Sequence, residues 1–155
     1  MFELSCNPFR REGDTVTPLT QPVPDAELDF DDDGIALHLG AAFTGTSYEV
    51  TPGGVRSELN YVNGMLQGRA TDVVLATGVL VGETGYLQGM KHGTQREYFT
   101  DGRLREDRSY EYDVCLKVRR FDAHGNLSSE RDLAMDSAEG RILARRRTVF
   151  GSALA

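Results

Sequence analysis

GVLVGETGYLQGMKHGTQREYFTDG, residues 78–102, is the stretch that decides the fold, because its spacing recurs along the chain. Counted from Gly78, an apolar residue stands two positions later, an acid five, a tyrosine eight, and glycines eleven and fifteen. Further copies start at Gly53, Gly102 and Gly125, so the starts are 25, 24 and 23 residues apart (78−53, 102−78, 125−102). A nearly constant period in this range is typical of an array of supersecondary units that pack on their neighbours.

Each copy has the pattern of one β-hairpin. Larger and polar residues alternate after the start glycine, which is the period of a strand. The glycine at offset eleven follows Asn63 or Gln88 and signals a tight turn with positive φ. Residues 94–99 then supply a return strand, and no helical pattern separates the strands. The sequence therefore predicts an all-β fold, an antiparallel meander of repeated hairpins over residues 25–136 whose first, degenerate copy begins at Gly34.

Parity divides the repeated positions between the two faces of this sheet. Offsets two and eight share one face and are expected to form the core, whereas the acid points to the other face. Equivalent acids are two strands apart, so a return-strand arginine fits between them, with Arg96 and Arg119 or Arg120 as candidates. A salt-bridged outer face is favoured over an acidic stripe that meets a partner. The rows are Val55, Leu80, Leu104 and Leu127; Tyr61, Tyr86, Tyr110 and Leu133; and the acids Glu58, Glu83, Asp107 and Glu130.

The two ends of the chain lack the repeat. Residues 1–24 hold four of the five prolines and are predicted to be an irregular lead-in, because proline cannot donate to a β-ladder. In residues 137–155, a short helix or an irregular segment is favoured over a last strand. Asp136 and Glu139 have the spacing of a capping box. The arginines at 145–147 either dock on the acidic N-terminal third or are solvated.

The sequence DFDDDG, residues 29–34, matches the front half of a calcium-binding EF-hand loop. The match fails at the twelfth loop position, where Gly40 stands in place of the bidentate glutamate. An acidic turn that leads into a strand is therefore the favoured interpretation. We expect no bound metal and no cofactor.

Charge is unevenly distributed along the chain, whose net charge is −7. Residues 12–55 carry nine acids and no Lys or Arg, whereas residues 56–155 carry fifteen basic residues and fourteen acids. A nucleic-acid-binding protein needs a basic footprint, and an anionic membrane attracts basic segments, so neither partner is expected. An acidic segment suits a basic protein partner, although acidity that merely aids solubility is the commoner outcome.

Other features favour a cytoplasmic, non-catalytic protein. The N-terminus has no apolar stretch typical of a secretory signal, and Cys6 and Cys115 are expected to be free thiols. The three histidines at 38, 92 and 124 are scattered, and the chain has no nucleophile elbow and no phosphate-binding glycine loop. We therefore predict that the protein is not an enzyme.

The pattern G-x-[VL]-x-x-[ED]-x-x-Y-x-x-G-x-x-x-G resembles the MORN repeat variant, a divergent form of the membrane occupation and recognition nexus repeat. The resemblance covers residues 34–133 and is closest over residues 78–106. The copy from Gly102 departs from it, with Asp113 and Lys117 in place of the two glycines.

This resemblance implies a function that the spacing alone does not. Small bacterial proteins built from such repeats resemble antitoxins and immunity proteins, which bind and neutralise a cognate toxin. The expected partner is a basic toxin, and no residue carries over as catalytic. The alternative is a scaffold or adaptor module that holds a protein or lipid surface without inhibiting it. The residues predicted to contact the partner are Asp29, Asp31, Asp32, Asp33, Glu58, Glu83 and Asp107.

Overall fold

The computed structural model describes residues 21–151, which form thirteen strands, one 3-10 turn and one helix. The 3-10 turn spans Asp25–Glu27, between the first two strands. The strands and the helix are β1 Val23–Pro24, β2 Leu28–Phe30, β3 Ala36–His38, β4 Ala41–Ala42, β5 Gly45–Val50, β6 Val55–Val62, β7 Met65–Leu66, β8 Gly68–Val74, β9 Val79–Leu87, β10 Met90–Tyr98, β11 Leu104–Glu111, β12 Val114–Phe121, β13 Leu127–Asp132 and α1 Ala138–Phe150.

Ten of these strands form one long sheet in the order β1-β5-β6-β8-β9-β10-β11-β12-β13, in which the short β7 also pairs with β6. From β5 onward every pairing is antiparallel, so the predicted all-β meander is confirmed. Strands β2, β3 and β4 make a separate three-stranded sheet. Val23 and Pro24, which the sequence placed in an irregular lead-in, pair in parallel with β5. Pro24 fits there because β1 is an edge strand. Residues 1–20 of the predicted lead-in lie outside the described residues.

Two-residue turns in which both residues have positive φ close the β3–β4, β6–β7, β9–β10 and β11–β12 hairpins. Leu39–Gly40, Asn63–Gly64 and Gln88–Gly89 end in glycine, as this turn type favours. Tyr112–Asp113 forms the same turn without glycine, with φ of 47° and 63°. The neighbouring hairpin holds it, because the Asp113 amide donates to the Lys91 carbonyl at 2.9 Å and Asp113 Oδ1 accepts from the Lys91 amide at 2.7 Å.

At the other end of β3, β6, β9 and β11, and before β13, a glycine with positive φ closes the turn that precedes the strand. The amides of Gly34, Gly54, Gly102 and Gly125 each donate to the carbonyl three residues earlier, at 2.8–3.0 Å. Gly78 is the equivalent residue in a turn that is one residue longer. The turn glycine of the second copy is therefore Gly54 and not the predicted Gly53.

β-Bulges explain this shift of one residue. Strands β9, β11 and β13 each skip one residue in their pairing with the preceding strand, three positions after the turn glycine, and β6 does not. Glu58 therefore follows Gly54 by four residues, whereas Glu83 follows Gly78 by five.

Each bulge also reverses side-chain parity, so Leu80 and Leu104 lie on the same face as the acids. The prediction that they share a face with the tyrosines is wrong. We call the side of the sheet bearing Glu58, Glu83 and Asp107 the acid face, and the side bearing Tyr61, Tyr86 and Tyr110 the tyrosine face.

The core consists of two clusters at different places and on opposite faces. Tyr61, on the tyrosine face, packs with the buried residues Val23, Leu28, Ala36 and Phe43 of the N-terminal segment. On the acid face, Leu143 of α1 packs against Tyr112 and Val114. The predicted core of two continuous rows is therefore wrong: Tyr61 is buried, but Tyr86 and Tyr110 are half-buried and Leu127 is exposed. Polar pairs cover much of the central sheet instead.

Helix α1 confirms the favoured prediction for the C-terminal segment, but its cap lies one residue later than predicted. The Gly140 amide donates to Ser137 Oγ at 3.1 Å, so Ser137 is the N-cap. The helix docks on the β11–β12 turn and not on the acidic third. Arg146 donates to the Tyr112 carbonyl, and Arg147 makes two hydrogen bonds to Glu111, at 2.7 and 2.6 Å.

Candidate protein-binding surface

The N-terminal segment 25–42, here called the acidic module, carries a dense set of exposed carboxylates. Its β2–β3 hairpin is closed by the turn from Asp31 to Gly34, in which the Gly34 amide donates to the Asp31 carbonyl at 3.0 Å. Asp31 Oδ1 also accepts from the amides of Asp33 and Ile35, at 3.0 and 2.9 Å. The acidic turn predicted from the sequence is thus present, and its side-chain geometry is that of an Asx turn.

The four predicted aspartates of this module are all exposed, and none forms an ion pair with another described residue. Asp29 lies opposite Leu37 in the β2–β3 pairing, and Asp32 and Asp33 lie in the turn. Two large apolar side chains of the module are exposed as well: Phe30, between Asp29 and Asp31 in the sequence, is 55% exposed, and Leu39, in the turn at the other end of the β2–β3 hairpin, is 91% exposed. The surface therefore combines unneutralised negative charge with exposed apolar groups.

The three other predicted contact residues lie in a cross-strand row, as the spacing predicted. The register places Glu58 opposite Thr71 of β8, and Thr71 opposite Glu83 of β9. Arg96 of β10 lies between Glu83 and Asp107 of β11. The predicted cross-strand pairing is therefore observed, with Arg96 bonded to Glu83 at 3.2 Å and to Asp107 at 3.3 Å.

Glu83 is the most heavily coordinated acid of this row. It accepts from Tyr98 Oη at 2.7 Å and from Arg96, and it forms an ion pair with Arg69 at 2.5 Å. Burial alone would raise the pKa of this carboxyl, but the bonds from Tyr98 and Arg96 and the charge of Arg69 outweigh burial. The pKa of Glu83 is lowered below its ordinary value of 4.5.

The carboxylates of the row lie beneath their arginines. The side chains of Glu83 and Asp107 are only 11% and 7% exposed, whereas those of Arg69, Arg96 and Arg119 are 41–60% exposed. Arg119 also bonds to Asp107. Glu83 and Asp107, which were predicted to contact a partner, are therefore not exposed, and this part of the acid face presents guanidinium groups to solvent.

Glu58 differs from the other two acids of its row. Its side chain is 39% exposed, and within residues 21–151 its one ion pair is with Arg56 on the same strand, at 2.8 Å. The Arg56 guanidinium also lies 4.0 Å from the centre of the Tyr48 ring, which is a cation–π distance. The seven predicted contact residues thus divide into four free aspartates, one half-exposed glutamate and two covered carboxylates.

The tyrosine face repeats this arrangement around Glu106, a residue that the repeat pattern did not single out. Arg108 bonds to one carboxylate oxygen and Arg120 bonds to the other, at 2.6 Å for Arg120. Burial opposes ionisation of Glu106, but the two arginines outweigh it and lower its pKa. Arg120 therefore pairs with an acid on the tyrosine face, whereas Arg119 pairs with Asp107 on the acid face. The sequence did contain a signal for this cluster: Glu106 is followed two positions later on the same strand by a basic residue, Arg108.

The described chain offers no evident metal or membrane element. Within residues 21–151, His, Cys, Asp and Glu side chains nowhere gather as a group of three that could hold a metal ion. No helix there has the length and apolarity that a bilayer crossing requires. Cys115 is a free thiol, and Cys6 lies outside the described residues.

Comparison with known proteins adds no relative: no protein-family model, curated protein or solved structure matches this chain.

Proposed function

We propose that this chain is an immunity protein or antitoxin that binds and neutralises a cognate toxin, with the acidic module as its principal contact surface. The toxin-binding class follows from the resemblance of residues 34–133 to the MORN repeat variant. The proposed location of the contact surface rests on one observation. The aspartates of the acidic module have no ion pair with a described residue, whereas carboxylates on the central sheet are covered by arginines.

Free carboxylates attract a distant partner more strongly than paired ones do. Residues 21–55 carry seven acids and no Lys or Arg, whereas residues 56–151 carry fifteen basic residues and fourteen acids. Ion pairs such as those of Glu83 and Asp107 largely cancel at a distance, so the field of the acidic module dominates. A toxin with a basic groove for an anionic substrate has the complementary charge.

The same surface offers groups that stabilise a complex once it has formed. Phe30 is exposed next to the aspartates, Leu39 is exposed in the β3–β4 turn of the same module, and burial of such side chains supplies the apolar core of a typical interface. The carboxylates then form the polar rim. Charge thus accelerates association, and the two apolar side chains slow dissociation.

The decisive experiment is co-expression with a toxin domain encoded beside the gene for this chain. Cells should survive with this protein and die without it, and a complex should be recovered. If cells die equally fast in both cases and no complex forms, the immunity function is wrong. A complex that forms without protection would instead favour the scaffold or adaptor function.

A charge-neutral variant tests the surface separately. Changing Asp29, Asp31, Asp32 and Asp33 to Asn removes four charges, and Asn at position 31 keeps an oxygen that can accept the two turn amides. We expect slower association with the toxin and a weaker dependence of the association rate on salt, because salt screens the long-range electrostatic attraction that these charges provide.

The matched control changes Asp101 and Asp122 to Asn. These two acids accept backbone amides in the equivalent turns of later hairpins. This control should associate at the rate of the unmodified chain. Unchanged association of the fourfold variant would refute the acidic module as the contact surface and leave the immunity function to the co-expression test.

A further inference from the structure

Strand β13 is an open edge of the long sheet. It pairs with β12 on one side, and none of the other described residues pairs with it. All six of its residues are exposed. A strand with one unpaired row of amides and carbonyls is a template on which an extended chain can add a further strand.

The charges on the acid face alternate from strand to strand toward this edge. Arg96 lies between Glu83 and Asp107, and the register continues from Asp107 to Arg119 of β12 and on to Glu130 of β13. The row thus reads negative, positive, negative, positive, negative. A strand added beyond β13 continues the alternation if it places a cation opposite Glu130.

The neighbouring positions of β13 extend this requirement. Asp132 lies on the acid face with Glu130, and their side chains are 68% and 37% exposed. Among the described residues both acids pair with one cation, Lys117, at 3.5 and 2.8 Å. Arg131 points to the tyrosine face, where it lies opposite the uncharged Val118. The edge therefore presents two underneutralised acids on one face and a cation on the other.

We propose that the open edge of β13 binds an extended segment of another protein as an added antiparallel strand. That segment carries Lys or Arg opposite Glu130 and Asp132, and an acid opposite Arg131. Its recognition pattern is basic–acidic–basic over three consecutive residues, since alternate residues of a strand face opposite sides.

A second copy of this chain does not meet the requirement. Two antiparallel edge strands related by a two-fold axis keep their acid faces on the same side of the joined sheet. Glu130 and Asp132 of one copy would then face acid-face residues of the other β13, which include no cation. Like charges directly opposite destabilise pairing, so the edge disfavours self-association.

This inference does not depend on the proposed toxin-binding function. The acidic module lies near β5 and β6, whereas β13 is at the other end of the strand order. Failure of the co-expression test would leave the edge proposal intact, and failure of the peptide test below would leave immunity intact.

The test uses two disulfide-closed hairpin peptides and the full chain. The docking strand of one peptide reads Thr-Lys-Glu-Lys-Thr, and that of the control reads Thr-Glu-Lys-Glu-Thr. Binding is measured by titration, and its location by hydrogen exchange of backbone amides. The first peptide should bind at least about tenfold more tightly, because three cross-strand pairs change from like to opposite charge. It should slow exchange of β13 amides.

Two protein variants complete the design. Glu130→Lys, Arg131→Glu and Asp132→Lys in one chain should reverse the preference between the peptides. The fourfold asparagine variant of the acidic module should bind the first peptide as the unmodified chain does. Equal binding of both peptides, no binding, or protection confined to the acidic module would overturn the proposal. The comparison of the two peptides on the unmodified chain tests the proposal even if the triple variant does not fold.

Discussion

Replacing Glu83 with glutamine tests whether the ion-pair row contributes to stability. Glu83 accepts from Tyr98 Oη at 2.7 Å and contacts Arg96 and Arg69 at 3.2 and 2.5 Å. Glutamine keeps the shape of the side chain and one acceptor oxygen. It removes the negative charge and directs an amide NH₂ toward groups that are themselves donors.

The expected loss is about 2 kcal/mol in the free energy of unfolding at pH 7. Hydrogen bonds to charged groups contribute about 1.5–3 kcal/mol each, and removing one partner of a fully buried pair costs about 3–5 kcal/mol. We do not expect the loss of about 3–5 kcal/mol that applies to a fully buried pair. Arg69 and Arg96 are 60% and 41% exposed, so water can solvate them once the carboxylate is gone.

The matched control is Glu58→Gln, in the same row of the same face. Glu58 is 39% exposed and, in the described part of the chain, pairs only with Arg56, so its replacement should cost below about 1 kcal/mol. Urea unfolding followed by circular dichroism at pH 7 measures both variants, and equal m-values show that the comparison concerns stability. A double-mutant cycle of Glu83→Gln with Tyr98→Phe should show coupling, because both residues belong to one hydrogen bond.

Three results would contradict this reasoning. Equal losses for Glu83→Gln and Glu58→Gln would mean that burial of Glu83 is irrelevant. A gain in stability for Glu83→Gln would mean that the cost of desolvating the carboxylate exceeds the contribution of its partners. Additive effects with Tyr98→Phe would remove the hydrogen bond from the explanation.

Three further predictions concern the turns, the helix and pH. Gly64→Ala should cost about 1–3 kcal/mol more than Gly89→Ala, measured by urea unfolding, because both glycines have positive φ but a Cβ at position 64 would overlap the Ile35 side chain and the Ala36 carbonyl, whereas one at position 89 would meet open space. Leu143→Ala should cost about 2–5 kcal/mol in the same assay, since this side chain of α1 is fully buried between the helix and the sheet. The lowered pKa values of Glu106 and Glu111 contribute stability that is complete above their ordinary value of 4.5 and is lost as pH falls through the lowered values. Urea midpoints measured from pH 6 to pH 2 should therefore fall below about pH 4.5; a midpoint that stays constant to pH 2 would contradict the prediction.

The repeat spacing was sufficient to predict the strands, because glycine and hydrophobic periodicity act locally. Turns after Gln88 and after Asp101 require positive φ at defined positions, and glycine marks those positions in the sequence. The acid row was predictable for the same reason, since its spacing follows from strand length.

The bulges were not predictable from spacing. The skipped residue in β9 is Val81 and in β11 it is Arg105, and neither residue type marks a bulge. Because a bulge reverses parity, simple counting placed Leu80 on the wrong face. The second copy hid the difference, because Gly53, which precedes the turn glycine Gly54, stands five residues before Glu58 even though β6 lacks the bulge.

The positions of the two core clusters depend on long-range packing. Tyr61 is buried because Phe43 and Leu28 return over it, whereas Tyr86 has the same place in the repeat and is half-buried. Nothing in the repeat distinguishes these tyrosines. The covering of Glu83 is also a tertiary effect, since Arg69 and Arg96 reach it from two different strands.

Alternating charge has a structural role that apolar burial cannot fill in the central strands. A sheet buried on one face keeps its register because a slip of one residue exposes its apolar side chains, and this constraint is weak where both faces are polar. Here a two-position slip of β10 against β11 would move Arg96 from Asp107 to a position opposite Leu104 or Ser109, and a slip of β12 toward the β11–β12 turn would move Arg119 from Asp107 to Ser109. Each of these slips removes an ion pair and offers no new acid in its place. The arginines that cover Glu83 and Asp107 therefore maintain the register, and this role explains why these two acids are covered while the aspartates of the acidic module stay exposed.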